Sequence, residues 1–410
     1  MFKLGKSKFL LENVLLEEEF NFNRGVVIGT KSKLKDILIE DGVIKGIFEN
    51  KSFKEDIDKI DMKGMLAIPS FRDAHIHLDK GHFGGKWKAC TTFTSVFDRI
   101  KEEEEFLPSF LDDTEYKAKK LLDLIIKNGV TEARVQCNVD PVIGLGNMER
   151  VLKALDDYKE KLDYELVAFP QHGLLRSNSI EYMKDAMRNG ANIVGGLDPA
   201  TIDDDINKSI YEMFNIATEF NADIDIHLHE RGSLGAYTIK KLMREIEKAN
   251  YQNRVTISHG YCLGDLDNKE LIEISEEMKR LGVILSTTSP IDGACPPIPT
   301  ISDLGVKVNI INDNINDHWS PFGSGDLLEK LSRMCEKFGV IEEQNINRQL
   351  KLITNGKNTL DKYGNVIWPK VGDKADIVFC EASCVSEAIA RIIKRNVVMK
   401  NGNFITEYKL

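Results

Sequence analysis

Residues 73–80 read Asp73-Ala74-His75-Ile76-His77-Leu78-Asp79-Lys80. They close an apolar run that begins at Met65, and two histidines stand two residues apart within them. On a β-strand, residues i and i+2 face the same side. Both imidazoles therefore share one face, within reach of a single metal ion, and neutral imidazole suits zinc and iron alike. His227/His229 repeats the spacing, although the chain holds only eight histidines.

Seven further strand candidates follow 65–77, at 130–137, 164–171, 193–199, 222–230, 254–260, 283–288 and 306–314. Each interval can hold a helix, for example 115–128, 148–162, 209–220, 237–249 and 271–281. Gly129, Gly190 and Gly282 fall just after helix candidates, where a left-handed residue is wanted. Apolar strands alternating with helices imply a parallel sheet, and eight such units imply a (β/α)8 TIM barrel over 65–365. The chain ends read differently. Segments 9–16, 25–30 and 36–48, with Asp41-Gly42 as a hairpin signal, resemble the strand-like stretches after Ala375. Residues 1–64 and 366–410 are therefore expected to form one small β-sandwich domain.

A barrel carries its chemistry at the C-terminal ends of its strands. Ligand-type side chains do fall there: His75 and His77 on the first strand, Gln171 and His172 on the third, Asp198 on the fourth. The fifth ends in His227, His229 and Glu230, the sixth in His259 and the eighth in Asp313. The end of the fourth strand, Gly195-Gly196-Leu197-Asp198-Pro199, offers no lysine for a carbamate bridge, so one metal is expected rather than two.

The bulk numbers exclude other classes. A net charge of -10 disfavours nucleic acid and anionic membrane as partners. Seven scattered cysteines without C-x-x-C spacing suit reduced thiols and a cytoplasmic location better than disulfides. No apolar leader is evident at the N-terminus, and no run of eighteen apolar residues argues for a membrane span. The acidic run 102–105 reads as a solvated helix face.

At this point a resemblance becomes specific. Pro69 through Asp79, Ala168-Phe169-Pro170-Gln171, Asp225 through Glu230, Ser258-His259 and Asn312-Asp313-Asn314 with Trp319 resemble the amidohydrolase superfamily, and within it the cytosine deaminase-like branch. The resemblance implies one divalent metal, Zn or Fe, held by His75, His77, His227 and Asp313. Such a set leaves a position open for water, whose pKa the metal lowers. It implies that Asp313 accepts the water proton, that Glu230 passes a proton to a ring nitrogen and the leaving group, and that His259 polarises or orients. It implies that Gln171 hydrogen-bonds a heterocycle edge and that Trp319 walls the ring. Asp198 is a further substrate-site candidate. The expected reaction is hydrolytic deamination of a small nitrogen heterocycle, such as cytosine or a related pyrimidine, triazine or pterin. The alternatives are a ring-opening cyclic amidase of imidazolone or hydantoin type, and a silent metal- or ligand-binding homologue. A homo-oligomer is expected by analogy alone.

The chain departs from the branch at Asn312, Asn314 and the proline-rich loop 289–299, all where ring substituents would be read. His172 is expected to act from outside the site, and His82 and His318 to lie on the surface. Asp79 and Lys80 form an ion pair under the loop or reach the pocket. His229 is a substrate contact or a plain loop residue.

Overall fold

The structure, a computed structural model, describes residues 8–407 with the exception of 292 and 294. The first seven residues, read above for a leader, lie outside the described residues. Eight strands run in parallel and in chain order: β1 Phe71–His77, β2 Val130–Asn138, β3 Asp163–Phe169, β4 Ile193–Leu197, β5 Asp223–Leu228, β6 Val255–His259, β7 Ile284–Thr287 and β8 Val308–Ile310. Each is followed by a helix: α1 Val96–Lys127, α2 Gly146–Asp156, α3 Ile180–Arg188, α4 Ile206–Glu219, α5 Gly232–Ala249, α6 Asn268–Leu281, α7 Ile298–Asp303 and α8 Leu327–Lys337. The ring closes between the first and last strands through a parallel bridge, Ile76 to Asp313. There the Asp313 N–H donates to the His75 carbonyl at 2.9 Å and the His77 N–H to the Asp313 carbonyl at 3.2 Å. The (β/α)8 barrel expected from the strand spacing is therefore present.

Its interior departs from the usual apolar layers. Along β1, Ile76 joins the apolar core shared with the helices, while Asp73, His75 and His77 are buried on the other face. The same alternation sends Arg134 and Gln136 of β2, Asp225 and His227 of β5, and Thr256 and Ser258 of β6 away from that core. Hydrogen bonds join β2 to β5 and β1 to β6, strands that are not neighbours, so these side chains must meet across the lumen. Apolar residues pack the barrel wall and polar residues fill its centre.

Sequence continuity misled at two places. The run 65–77 is two strands in two sheets. Residues Leu66–Pro69 pair with Ile377–Cys380 in the terminal sheet, and β1 begins at Phe71. Pro69 has no N–H to give a ladder, and the chain changes partners there: Ser70 N–H donates to Asp376, and Phe71 N–H to Gly129. An apolar run does not show a change of sheet. The helix expected over 115–128 is α1, which starts nineteen residues earlier, at Val96, behind a capping box in which Ser95 and Asp98 exchange hydrogen bonds. It runs through Pro108. Its first turns lie across the barrel mouth, where Ile100 packs on Phe169, Leu197 and Ile202.

The second sheet contains eight strands drawn from both chain ends: Lys8–Asn23, Val26–Glu40, Val43–Glu49, Lys59–Asp61, Leu66–Pro69, Ile377–Cys380, Arg395–Lys400 and Asn403–Phe404. Asp41 and Gly42 turn its second hairpin with φ of 50° and 76°, the pair of positive values such a turn demands. Period-two alternation divides this sheet between two cores. Leu66, Ile68, Val378 and Val398 pack on the barrel, whereas Ala67, Ile377, Phe379 and Val397 pack on the terminal segments. Among the described residues, no helix is long and apolar enough to cross a membrane.

Gly195 has a packing reason for lacking a side chain. A Cβ there would lie 2.4 Å from the Ala168 carbonyl oxygen and 3.0 Å from the Phe169 Cα. Gly195→Ala is expected to force β3 and β4 apart and cost about 1–3 kcal/mol. A urea midpoint unchanged from wild type would contradict that account.

Candidate metal centre and active site

The C-terminal end of the barrel gathers the histidines. His75 and His77 arrive on alternate residues of β1, His227 on β5, His259 at the end of β6 and Asp313 just beyond β8. His75, His77, His227 and His259 are buried. Asp198, His259 and Asp313 hold φ of 33°, 71° and 62°. Such left-handed backbone is uncommon outside glycine and collects at functional sites.

The spacing of donor atoms carries the chemical argument. His77 Nε2 and His227 Nε2 lie 3.3 Å apart. Asp313 Oδ1 lies 3.4 Å from His75 Nε2 and 3.5 Å from His77 Nε2. Burial lowers the pKa of His77 and of His227 well below the ordinary value, so both rings are neutral and each offers a lone pair. Burial alone would raise the Asp313 pKa, but the surrounding histidines hold it well below the usual carboxylate range. Donors at about 2.0–2.1 Å around a tetrahedral ion stand about 3.3–3.4 Å from one another. The donor edges match that figure. The Nε2 of His75 is buried and has no hydrogen-bond partner among the described residues, as a nitrogen reserved for a metal would be. His75, His227 and His259 form a second grouping of the same kind, so His259 stands at the edge of the same centre.

The His75 tautomer is set from below. Ser258 Oγ donates to Asp225 Oδ1 at 2.6 Å, which leaves it to accept from His75 Nδ1 at 2.8 Å. The Nδ1 therefore carries the proton and Nε2 the free lone pair. Gln136 lies 3.2 Å from the same nitrogen. Asp225 in turn accepts from Arg134 Nη1 at 2.9 Å, and Arg134 Nε donates to Glu165 at 2.7 Å. Arg72 completes the chain on Glu165 and Glu132. A column of charge and hydroxyl thus runs from the site down the barrel axis. Asp225 and Ser258 are fully buried, and sequence reading singled out neither in this role. Their signal was there: on β5 and β6, residues two before a rim histidine and one before it are polar inside otherwise apolar strands.

The mouth is organised by Glu103, which is fully buried on α1. This corrects the solvated-face reading of 102–105 at Glu103, whereas Glu105 is exposed. Trp319 Nε1 donates to Glu103 at 3.1 Å, and His318 Nε2 lies 2.9 Å from the same oxygen. Lys80 Nζ lies 3.4 Å and His172 Nε2 3.4 Å from the carboxylate. His318 and His82, expected at the surface, are both buried. Sequence separation hid this cluster, because α1 supplies the acid and the loops after β1, β3 and β8 supply the partners. Lys80 also donates to Gln171 Oε1. Asp79 instead accepts from the Asn138 N–H at 2.7 Å and from Asn147, so it supports the loop and Lys80 faces the site. Asp317, the rival to Asp313, caps the Trp319 and Ser320 amides.

On the opposite side of the mouth, Asp198 spends both oxygens on its neighbour. The His229 N–H donates to Oδ1 at 2.6 Å and the His229 ring donates to Oδ2 at 2.7 Å. Asp198 therefore reaches the site through His229, whose ring lies 4.2 Å from that of His259. Glu230 is buried, with Oε1 receiving the Ala200 and Thr201 amides and Oε2 the Thr238 hydroxyl. Burial raises its pKa. The Phe169 ring stacks on His227 at 3.8 Å.

Residues 58–404 match the amidohydrolase family. The chain belongs to the amidohydrolase family. It is 37% identical over 98% of its length, and 88% of the relative's, to the uncharacterized protein YahJ of Escherichia coli. It is 29% identical to the N-isopropylammelide isopropyl amidohydrolase of a Pseudomonas species, covering 94% of this chain and 96% of that one. The crystal structure of N-isopropylammelide isopropylaminohydrolase from Burkholderia multivorans superposes with a TM-score of 0.85 at 29% identity, over 97% of this chain and 98% of that one. This amidohydrolase is thus a hydrolase for carbon–nitrogen bonds, with a histidine-rich group that could hold a metal ion.

Proposed function

We propose that this amidohydrolase hydrolyses an exocyclic C–N bond of a small nitrogen heterocycle, releasing ammonia, with one Zn or Fe ion held by His75, His77, His227 and Asp313. The observation that carries the reading is the 3.3 Å approach of His77 Nε2 to His227 Nε2 with Asp313 Oδ1 at 3.4 Å from His75 Nε2 and 3.5 Å from His77 Nε2, the donor spacing a tetrahedral ion would set. When bound, such an ion would act as a Lewis acid that acidifies water. The remaining roles belong to this chain. Asp313 accepts the proton of the attacking water. Glu230 carries a proton to the ring and to the departing amine, with its carboxyl held by the Ala200 and Thr201 amides on Oε1 and the Thr238 hydroxyl on Oε2. His259 orients the attacked carbon's substituent, with its Nδ1 steadied 3.2 Å from the Tyr261 hydroxyl. Gln171, Trp319 and the Asp198–His229 pair line the ring site. The relatives named for isopropylamine removal support exocyclic C–N cleavage over ring opening.

The metal-loaded protein is expected to release ammonia or an alkylamine from at least one member of an aminopyrimidine, aminotriazine and pterin panel. Release of none, alongside opening of a hydantoin or imidazolone ring, would reverse the assignment. Glu230→Gln is expected to lower kcat on a good substrate about 10²–10⁴-fold. Undiminished turnover in that variant would remove Glu230 from the mechanism.

A further inference from the structure

We infer that a cavity at the C-terminal end of α1, where the barrel meets the terminal sheet, binds a small organic phosphate monoester through Lys63, Lys127 and Lys394. No residue that lines it belongs to the metal centre or to the barrel mouth. Lys127 follows Glu103 by 24 residues on α1, about 36 Å along the helix axis.

The cavity encloses about 740 Å3, within the roughly 300–1,000 Å3 common for small-molecule sites. Cations reach it from three parts of the chain. Lys127 closes α1, Lys63 stands in the turn before the strand Leu66–Pro69, and Lys394 and Arg395 stand at the start of the strand Arg395–Lys400. Against these four cations the lining sets two carboxylates, Glu381 and Glu407, which leaves an excess of two positive charges. On a chain with a net charge of -10 this is a local reversal of sign, and a concave surface concentrates its field.

The engagement of these groups distinguishes the cavity from a solvated face. Arg395 is buried and spends its fork on the fold: Nη1 donates to the Ile393 carbonyl at 2.8 Å and Nη2 to Asp326. Its Nε has no partner among the described residues. Glu381 accepts from the Asn396 amide at 2.9 Å. Elsewhere on the surface, Lys31 pairs with Glu19, and Lys119 with Glu115 and Asp157. Lys63, Lys127 and Lys394 have no such carboxylate partner among the described residues. Three ammonium groups on flexible stems suit the three terminal oxygens of a phosphate ester, each acting as a point charge. A carboxylate would leave one of the three without an oxygen of its own. Met65 and Val397 add apolar lining and Thr406 a hydroxyl, so the organic part of an ester has contacts that the free ion would not use.

The test is calorimetry on the zinc-loaded full chain with ribose 5-phosphate, ribose and inorganic phosphate. Ribose 5-phosphate is expected to bind about 10-fold or more tightly than either of the others, and to weaken as sodium chloride is raised. Lys127→Gln and Lys394→Gln are each expected to weaken it about 10-fold, the size of one lost charge-assisted hydrogen bond. Both side chains are exposed, so the urea midpoint is expected to stay at the wild-type value. Lys394→Arg keeps the charge and is expected to retain binding. No binding of ribose 5-phosphate would overturn the inference. So would inorganic phosphate binding as tightly as the ester, or an ester affinity equal in wild type and both glutamine variants.

Discussion

Asp313→Asn is expected to lower kcat/KM by about 10³-fold or more while leaving the barrel folded. Asparagine occupies nearly the same volume and tolerates the left-handed backbone that this position adopts at φ 62°. The main-chain hydrogen bonds to His75 and His77 involve no side-chain atom and survive the exchange. What disappears is the charge: the acceptor for the water proton, and the only carboxylate in the group with His75 and His77. Metal analysis of the purified variant is expected to show reduced retention under dialysis against a mild chelator. An active Asp313→Asn enzyme with full metal content would show that the proton goes elsewhere.

The second large effect lies far from solvent. Arg134→Leu is expected to destabilise the protein by about 3–5 kcal/mol, because it strands Asp225 as a buried charge. The penalty reaches the site. Without Arg134, Asp225 loses the ion pair that lets it hold Ser258, and Ser258 in turn sets the His75 tautomer. Metal affinity is expected to fall about 10–100-fold even where the fold survives, as for other outer-shell partners of a metal ligand. Ser258→Ala separates the two consequences, since it breaks the column above the ion pair. It is expected to weaken metal binding with a much smaller stability loss, read from chelator competition and a denaturant midpoint. Equal metal affinity in Ser258→Ala and wild type would show that the column supports the barrel alone.

These residues mark where the sequence was legible. The strand order, the closing of the barrel and the gathering of His75, His77, His227, His259 and Asp313 follow from a local rule, the i and i+2 face of a strand, repeated at successive strand ends. Glu103, Lys80 and His318 obey no local rule. Glu103 sits in a run of four glutamates whose composition says solvent, and it is buried because α1 begins early enough to cross the mouth. The split at Ser70 was hidden for a related reason, since a run of apolar residues looks the same whether it serves one sheet or two. Asp198 was legible as a rim residue but not as the partner of His229, which depends on the turn after β4.

The seam between β1 and β8 has a consequence for assembly. The last bonds to form a complete ring run through Asp313, beside the two histidines of β1. The strands that meet there are separated by more than half of the chain, so the fastening is a long-range event in folding. Any cation bridging His75, His77 and Asp313 would act as a clasp across that join. Loading and completion of the ring then become one equilibrium: the cation-free protein opens first at this line, and the amides of His77 and Asp313 report it by exchanging with solvent ahead of those on the far side of the barrel.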